Sequence, residues 1–203
     1  MISILGWISV YLLTIVVHEV AHGFVADRLG DPTAKAMGRL TLNPFKHVDL
    51  FWTVLFPAIL FISTQGRFTI GMAKPVPVDF GRLRNPKRDM IWVALAGPFG
   101  NILFASFLTF LWRLYEVDLI CYAIYFNLGL AVFNLLPIPP LDGSRVLIGI
   151  LPSRMAAGYL RLEPMGLLIV LLLYLTGILY YLIVPSMNVL CRFLDIPPLR
   201  VSF

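Results

Sequence analysis

The sequence predicts an all-α, multi-pass membrane protein: a bundle of about four to six transmembrane helices, with a re-entrant segment and short edge β-strands near a polar site. Three observations carry this. The 203 residues are 59% hydrophobic and only 13% charged, with a mean hydropathy of +0.86, far too apolar for a soluble domain of this length. Charge-free runs cover residues 1–17, 90–112, 119–141 and 164–191, and the last three each exceed the roughly 20 residues that cross a bilayer as a helix. Between the runs lie short polar segments with alternating patterning and prolines.

The first run opens a helix that continues through "HEVAH" (18–22) to about Leu29. It has no basic n-region and no A-x-A-like cleavage site, so it reads as a retained helix rather than a signal peptide. "GRLTLNP" (38–44) alternates polar and apolar residues, as does "AKPVPVD" (73–79) with Pro75 and Pro77. Both read as edge strands or extended segments, because the prolines exclude a central strand. Residues 50–66 form a fifth uncharged run of 17 residues, broken by Pro57 and ended by "STQG". It is marginal as a span. Residues 90–112 and 119–141 give two further spans, and 164–191 gives a third that Pro185 interrupts. No internal repeat or low-complexity linker is visible, so residues 1–203 read as a single membrane-embedded domain.

The distribution of charge orients the bundle. Arg28, Lys35, Arg39 and Lys46 follow the first helix; Arg67, Lys74, Arg82, Arg84, Lys87 and Arg88 follow the marginal run. If that run crossed, these groups would face opposite sides. If it dips in and returns, all ten face the cytoplasm, Arg113–Asp118 lies outside, and Arg145, Arg154 and Arg161 return inside. The positive-inside rule favours the second arrangement, and irregular backbone at membrane depth is tolerated beside protein or a wet cavity. A net charge of +5 does not suggest nucleic acid. Cys121 and Cys191 fall in apolar runs without metal-type spacing and read as reduced thiols.

The chemistry concentrates in "HEVAH". His18 and His22, four apart on a helix, share one face and can reach one ion, with Glu19 beside it. Two ligands and a carboxylate that takes a proton from water form the zinc-hydrolase arrangement. The alternative is a pair of core histidines filling polar holes, but ionisable groups inside a span mark function by default. A catalytic zinc takes three protein ligands. The third is either His47 or a carboxylate, and Asp142 is favoured. It follows "NLLPIPPL" at the end of an apolar run, where a lone acid is costly; the competing role is a helix N-cap. His18 lies roughly ten residues, or about 15 Å, from the cytoplasmic end of its helix, and Asp142 follows a helix returning to that side.

"HEVAH", "GRLTLNPFKHVD", "AKPVPV", "AGPFGN" and "NLLPIPPLDG" occur together and in this order. The combination resembles the site-2 protease family of intramembrane zinc metalloproteases (peptidase family M50), in its short form without PDZ or CBS domains. The resemblance covers about residues 10–150 as the catalytic core, leaving a C-terminal helical segment of about 155–203. It implies one Zn²⁺ per chain held by His18, His22 and Asp142, with Glu19 as the catalytic base. It also places Asn134 and Asn101 near the active site. Ser144 stands where the family usually has a second glycine, and Trp52 where a glycine is common; neither is a ligand position.

The implied activity is hydrolysis of peptide bonds in or near transmembrane segments of membrane proteins, in a prokaryotic plasma membrane, with the site toward the cytoplasmic half. The partners are transmembrane protein substrates and the lipid bilayer; the oligomeric state is left open. Glu19 would move a proton from water to the leaving amine. Asn134 or Asn101 would donate to the developing oxyanion or hold substrate backbone, the alternative for each being an interhelical hydrogen bond. His47 is expected to support the loop or a ligand, the alternative being stabilisation of the transition state. The edge-like segments would receive an unwound substrate by β-addition or simply cap the site. Rival readings are a non-catalytic zinc-binding scaffold, against which Glu19 argues, and a metal transporter, against which the lack of a repeat argues.

Overall fold

The computed structural model describes residues 4–49, 51, 55–63, 65 and 74–199. Nine α-helices lie within these residues: α1 (Ile4–Leu29), α2 (Thr33–Ala36), α3 (Phe56–Ser63), α4 (Pro86–Tyr115), α5 (Asp118–Asn134), α6 (Asp142–Ile150), α7 (Ser153–Leu160), α8 (Gly166–Leu175) and α9 (Ile178–Phe193). α1 packs against α4 and α5, α4 against α5 and α6, and α9 against α5.

The two longest helices form the frame. α1 has 26 residues and α4 has 30, so they extend about 39 and 45 Å at 1.5 Å per residue. Pro86 starts α4, where its missing N–H costs nothing. The Asp89 carboxylate in its first turn accepts the Asn85 N–H at 2.8 Å. Arg113 occupies the last turn, where a cation suits the helix dipole. Pro98 sits inside α4, an interruption that a helix within a bundle tolerates.

Three helical stretches are long and apolar enough to cross a membrane: Leu5–Leu29, Pro86–Tyr115 and Ser153–Leu175. Asp118–Asn134 and Ile178–Phe193 are shorter apolar helices. The outward faces are hydrophobic, with Leu103 69% and Leu167 75% exposed. A soluble monomer rarely shows so continuous an apolar surface, whereas a lipid-facing one does. Inside, Val10, Ala105, Ile124, Leu128 and Cys191 pack into one apolar cluster. A polar layer lies beside it. Asn127 Nδ2 donates to Thr14 Oγ1 at 2.9 Å and to the Ala123 carbonyl at 2.8 Å, both buried, joining α5 to α1 by the kind of interhelical bond that membrane bundles use.

The structure departs from the expected elements in two places. The run 164–191 breaks at Thr176 and Gly177, which separate α8 from α9, while Pro185 lies within α9. Gly177 is left-handed at φ +74°, and this turns the chain more sharply than one lost N–H inside a helix. Second, the edge-like segments form no strand among the described residues. Residues 38–44 turn into a 3₁₀ turn at Pro44–Lys46, and 74–79 is irregular and leads into another at Phe80–Arg82. Pro75 and Pro77 have no N–H to give to a ladder, and the backbone groups around them bond to side chains instead. Residue 73 lies outside the described residues.

Of the 50–66 run, residues 51, 55–63 and 65 are described, and Phe56–Ser63 forms α3. Residues 50, 52–54, 64 and 66 of that run lie outside the described residues. Both cysteines are free, as expected, Cys191 being buried and Cys121 only partly so.

Candidate metal centre

The 3.6-residue period of α1 stacks His18 and His22 one turn apart, with ring centroids 4.6 Å apart and the rings nearly perpendicular. Both are buried. His22 Nδ1 lies 2.6 Å from the Val93 carbonyl on α4. A carbonyl only accepts, so Nδ1 carries the proton and Nε2 presents a bare lone pair. That is the tautomer a metal-binding imidazole adopts.

The two Nε2 atoms are 3.1 Å apart. Asp142 Oδ2 lies 3.1 Å from His18 Nε2 and 3.3 Å from His22 Nε2. Tetrahedral zinc with bonds of about 2.0–2.1 Å holds its ligand atoms about 3.3 Å from one another, so this triangle fits the ion. Among the described residues, these three are the one group of His, Cys, Asp or Glu with donor atoms this close together.

Asp142 reaches the histidines because the chain turns between α5 and α6. α5 ends at Asn134, and "NLLPIPPL" leads to α6, whose first residue is Asp142. Leu141 is the N-cap residue, so Asp142 caps nothing and turns its side chain to the histidines. Ser144, the departure from the family pattern, is buried and donates its hydroxyl to the Leu141 carbonyl at 2.6 Å. Asp142 Oδ2 has no hydrogen-bond donor among the described residues, so a cation between it and the two Nε2 atoms would meet a free lone pair.

α4 closes the other side. A Cβ built on Gly97 would overlap the His22 ring and stand 2.7 Å from His18 Cε1. Only glycine lets the α4 backbone come this close to both rings.

A cavity of about 520 Å³ opens on this cluster. Its wall includes His18, Glu19, His22, Asn134, Asp142 and Arg145, with Pro75 and Val76 on the side of the 74–79 segment. Glu19 stands beside the three-atom group rather than in it. Its Oε2 accepts the Val76 N–H at 2.7 Å.

The other expected site residues divide. Asn134, the last residue of α5, donates one amide N–H to the Leu130 carbonyl at 3.0 Å and faces the cavity. Asn101 is fully buried and absent from the cavity wall, and neither amide atom has a partner among the described residues. His47 is also fully buried and away from the cluster. Its Nε2 pairs with the Thr41 carbonyl at 2.9 Å, and its own carbonyl accepts the Lys74 N–H at 2.9 Å. It joins the 38–49 loop to the 74–79 segment.

Two features of the wall escape the sequence. Arg145 lines the cavity one turn after Asp142 and pairs with Glu163 at 2.5 Å; its spacing from Asp142 was the available signal. The Val76 N–H on Glu19 is a backbone group and has no sequence signature.

The pattern of peptidase family M50 matches residues 114–177. The Bacillus subtilis protein YwhC, which bears the name of a zinc metalloprotease, is 34% identical over 92% of this chain and 88% of its own length. Rip2 of Mycolicibacterium smegmatis, named in the same way, is 31% identical over 85% of this chain and 66% of its own. A Methanocaldococcus jannaschii zinc metalloprotease is 26% identical over 70% of this chain and 46% of its own. No solved structure matches the chain. With a relative this similar along nearly the whole of both sequences, the chain belongs to peptidase family M50.

Proposed function

We propose that the chain is an intramembrane zinc metalloprotease that hydrolyses peptide bonds in or near the transmembrane segments of membrane proteins. The observation that carries this is the triangle of His18 Nε2, His22 Nε2 and Asp142 Oδ2 at 3.1–3.3 Å, with Glu19 beside it on the cavity wall. The triangle belongs in part to a helix apolar and long enough to cross a membrane. The three residues are assigned as the ligands of one Zn²⁺ and Glu19 as the base.

Zinc, when bound, supplies a Lewis acid that polarises a carbonyl and lets water ionise near neutral pH. The chain supplies the rest. The Val93 carbonyl fixes the ring and tautomer of His22. Glu19 takes a proton from the attacking water and returns it to the leaving nitrogen. The Asn134 amide has one N–H left after its bond to Leu130, and donates it to the substrate carbonyl as charge develops there. The cavity admits water to a depth that lipid would keep dry. Its wall at 74–79 borders the space an unwound substrate backbone would occupy.

The competing readings draw less support. A zinc-binding scaffold has no need of Glu19 beside the ligands, and a transporter is expected to show a repeat that the sequence lacks. In the proposed orientation the protein sits as a multi-pass protein in a prokaryotic plasma membrane, with the site in the cytoplasmic half. The basic residues between α1 and α4 support this.

Glu19→Gln is expected to keep zinc and lose turnover of a single-span reporter, whereas Asp142→Ala loses both. Metal content and cleavage measured on the same preparations separate the two, and a Glu19→Gln protein turning over at wild-type rate refutes the base. Gly97→Ala pushes on both imidazoles, so zinc affinity should drop about 10–100-fold, the range for disturbed ligand supports; a competitive chelator titration reads this. Asn134→Ala should retain zinc and slow turnover by roughly 10²–10³, as for loss of one oxyanion donor; an unchanged rate makes Asn134 a packing residue.

Residues 51–64 are proposed to dip into the membrane and return. Single cysteines at Lys35, Gln65 and Arg84, in a background without Cys121 and Cys191, should resist an impermeant maleimide in intact cells. One at Glu116 should label at once. Labelling at position 84 but not at 35 means that the segment spans.

A further inference from the structure

Six residues, 74–79, cross the mouth of the site without forming regular structure, yet they are tied down at four points. The Lys74 N–H donates to the His47 carbonyl at 2.9 Å. Arg39 Nη2 donates to the Lys74 carbonyl at 2.8 Å and to the Pro75 carbonyl at 3.3 Å. The Val76 N–H donates to Glu19 at 2.7 Å. The Asp79 N–H donates to Asp31 Oδ2 at 2.7 Å. Val76 is buried against α1, where a Cβ on Gly23 would stand 2.7 Å from Val76 Cγ1. The segment therefore lies directly on the turn of α1 that follows Glu19.

The two side-chain anchors are unusual. Asp31 is fully buried just beyond the end of α1. It accepts the Thr33 hydroxyl and the Thr33 N–H as well as the Asp79 N–H. Arg39 is 7% exposed, forms no ion pair among the described residues, and spends Nη2 on the two carbonyls of the segment. Burying a carboxylate and a guanidinium is costly unless each is held by hydrogen bonds. Arg39 holds one end of residues 74–79 through Nη2, its Nε having no partner among the described residues, and Asp31 holds the other while also accepting from Thr33. Burial pushes the Asp31 carboxyl up, but the bonds from Thr33 and Asp79 and the charge of Arg82 prevail and hold it below its ordinary value.

We infer that residues 74–79 are a strap whose Val76 N–H fixes the Glu19 carboxylate, and that Asp31 and Arg39 are positioning residues that act through it. Glu19 has three side-chain torsions and stands on the open wall of the cavity. Without a partner its carboxylate samples several rotamers, and few of them meet a water beside the metal group. One bond to Oε2 selects a rotamer and leaves Oε1 to take the proton. Pro75 and Pro77 on either side of Val76 restrict the backbone that presents this N–H. Asp31 and Arg39 fix the two ends, so the donor stays where the carboxylate needs it. The inference rests on Glu19 being the base.

The test uses the full-length, zinc-loaded protein in detergent or lipid and a single-span reporter. Replacing Val76 by its α-hydroxy analogue turns the amide into an ester, which removes the N–H and weakens the Pro75 carbonyl as an acceptor for Arg39; Val76→Pro removes the N–H by ordinary mutagenesis and leaves that carbonyl an amide. The expected result is one zinc per chain, a KM within about threefold of wild type, and a kcat lower by roughly 10–100-fold, the scale of a misplacement of about 1 Å in a reacting group. Arg39→Ala and Asp31→Asn should lower kcat in the same way, with Arg39→Lys partly restoring it. Combined with the ester, they should add little further loss, because all three act through one bond. An unchanged kcat in the ester variant, or a loss matched by loss of zinc, overturns the inference. Failure of the underlying reading is seen separately, as Glu19→Gln turning over at wild-type rate.

Discussion

The bond from His22 Nδ1 to the Val93 carbonyl is the interaction on which the site depends. It joins α1 to α4 across 71 positions of sequence and acts on both at once. It fixes which nitrogen of His22 is bare, and it brings the α4 backbone onto the imidazoles. The contact is possible because α4 carries Gly97 at the point of closest approach, where a methyl group would meet both rings. Asp142 then completes the triangle from the far side, delivered by α6, which also packs against α4. α4 is thus the common wall of the site.

How much of this was legible in the sequence follows from how local each feature is. Two histidines four apart within one helix fix their own geometry, so His18 and His22 could be read directly. Asp142 was legible from cost: an acid at the end of an apolar run needs a partner, and the histidines are that partner. Its competing role as an N-cap is excluded by its place as the first residue of α6. His47 and Asn101 carried residue types suited to the site but no geometric constraint; both are fully buried, and neither is on the cavity wall. The edge-like segments show the limit of alternation as a signal. Pro75 and Pro77 leave too few donors for a ladder, and the remaining backbone groups are taken by Arg39, Glu19 and Asp31. Similarly, Pro185 looked like the break in the last run, but the turn falls at Gly177.

A bilayer raises the cost of every polar group, and the chain meets that cost in two ways. Asn127 and Thr14 satisfy one another within the bundle, as an interhelical bond between polar side chains does. The His18, His22 and Asp142 cluster is left partly short of partners: His18 Nδ1 and Asp142 Oδ2 have no hydrogen-bond partner among the described residues. Buried polar groups are nearly always paired, and an ion at the centre of the triangle would meet Asp142 Oδ2, whereas His18 Nδ1 points away from it. Asn134 has a backbone partner and faces the cavity, whereas Asn101 is buried with neither amide atom paired among the described residues.

Helix geometry also explains why Glu19 needs a holder from outside α1. Residues i and i+4 lie on one face, but i+1 is turned by about 100°. The histidines therefore point at a common centre while Glu19 points past it, which suits the role of base proposed for it, to approach water without displacing a ligand. The same offset deprives the carboxylate of support from the cluster. No neighbour on α1 can supply an N–H, since helical N–H groups in mid-helix are already bonded. A donor has to come from chain that is not in regular structure, and it must be held firmly enough to act as one. The 74–79 segment meets both conditions: Val76 retains a free N–H because it lies outside any helix or strand, and its neighbours are prolines flanked by Arg39 and Asp31 contacts. What the sequence presents as a failed strand is thereby suited to presenting a single backbone donor.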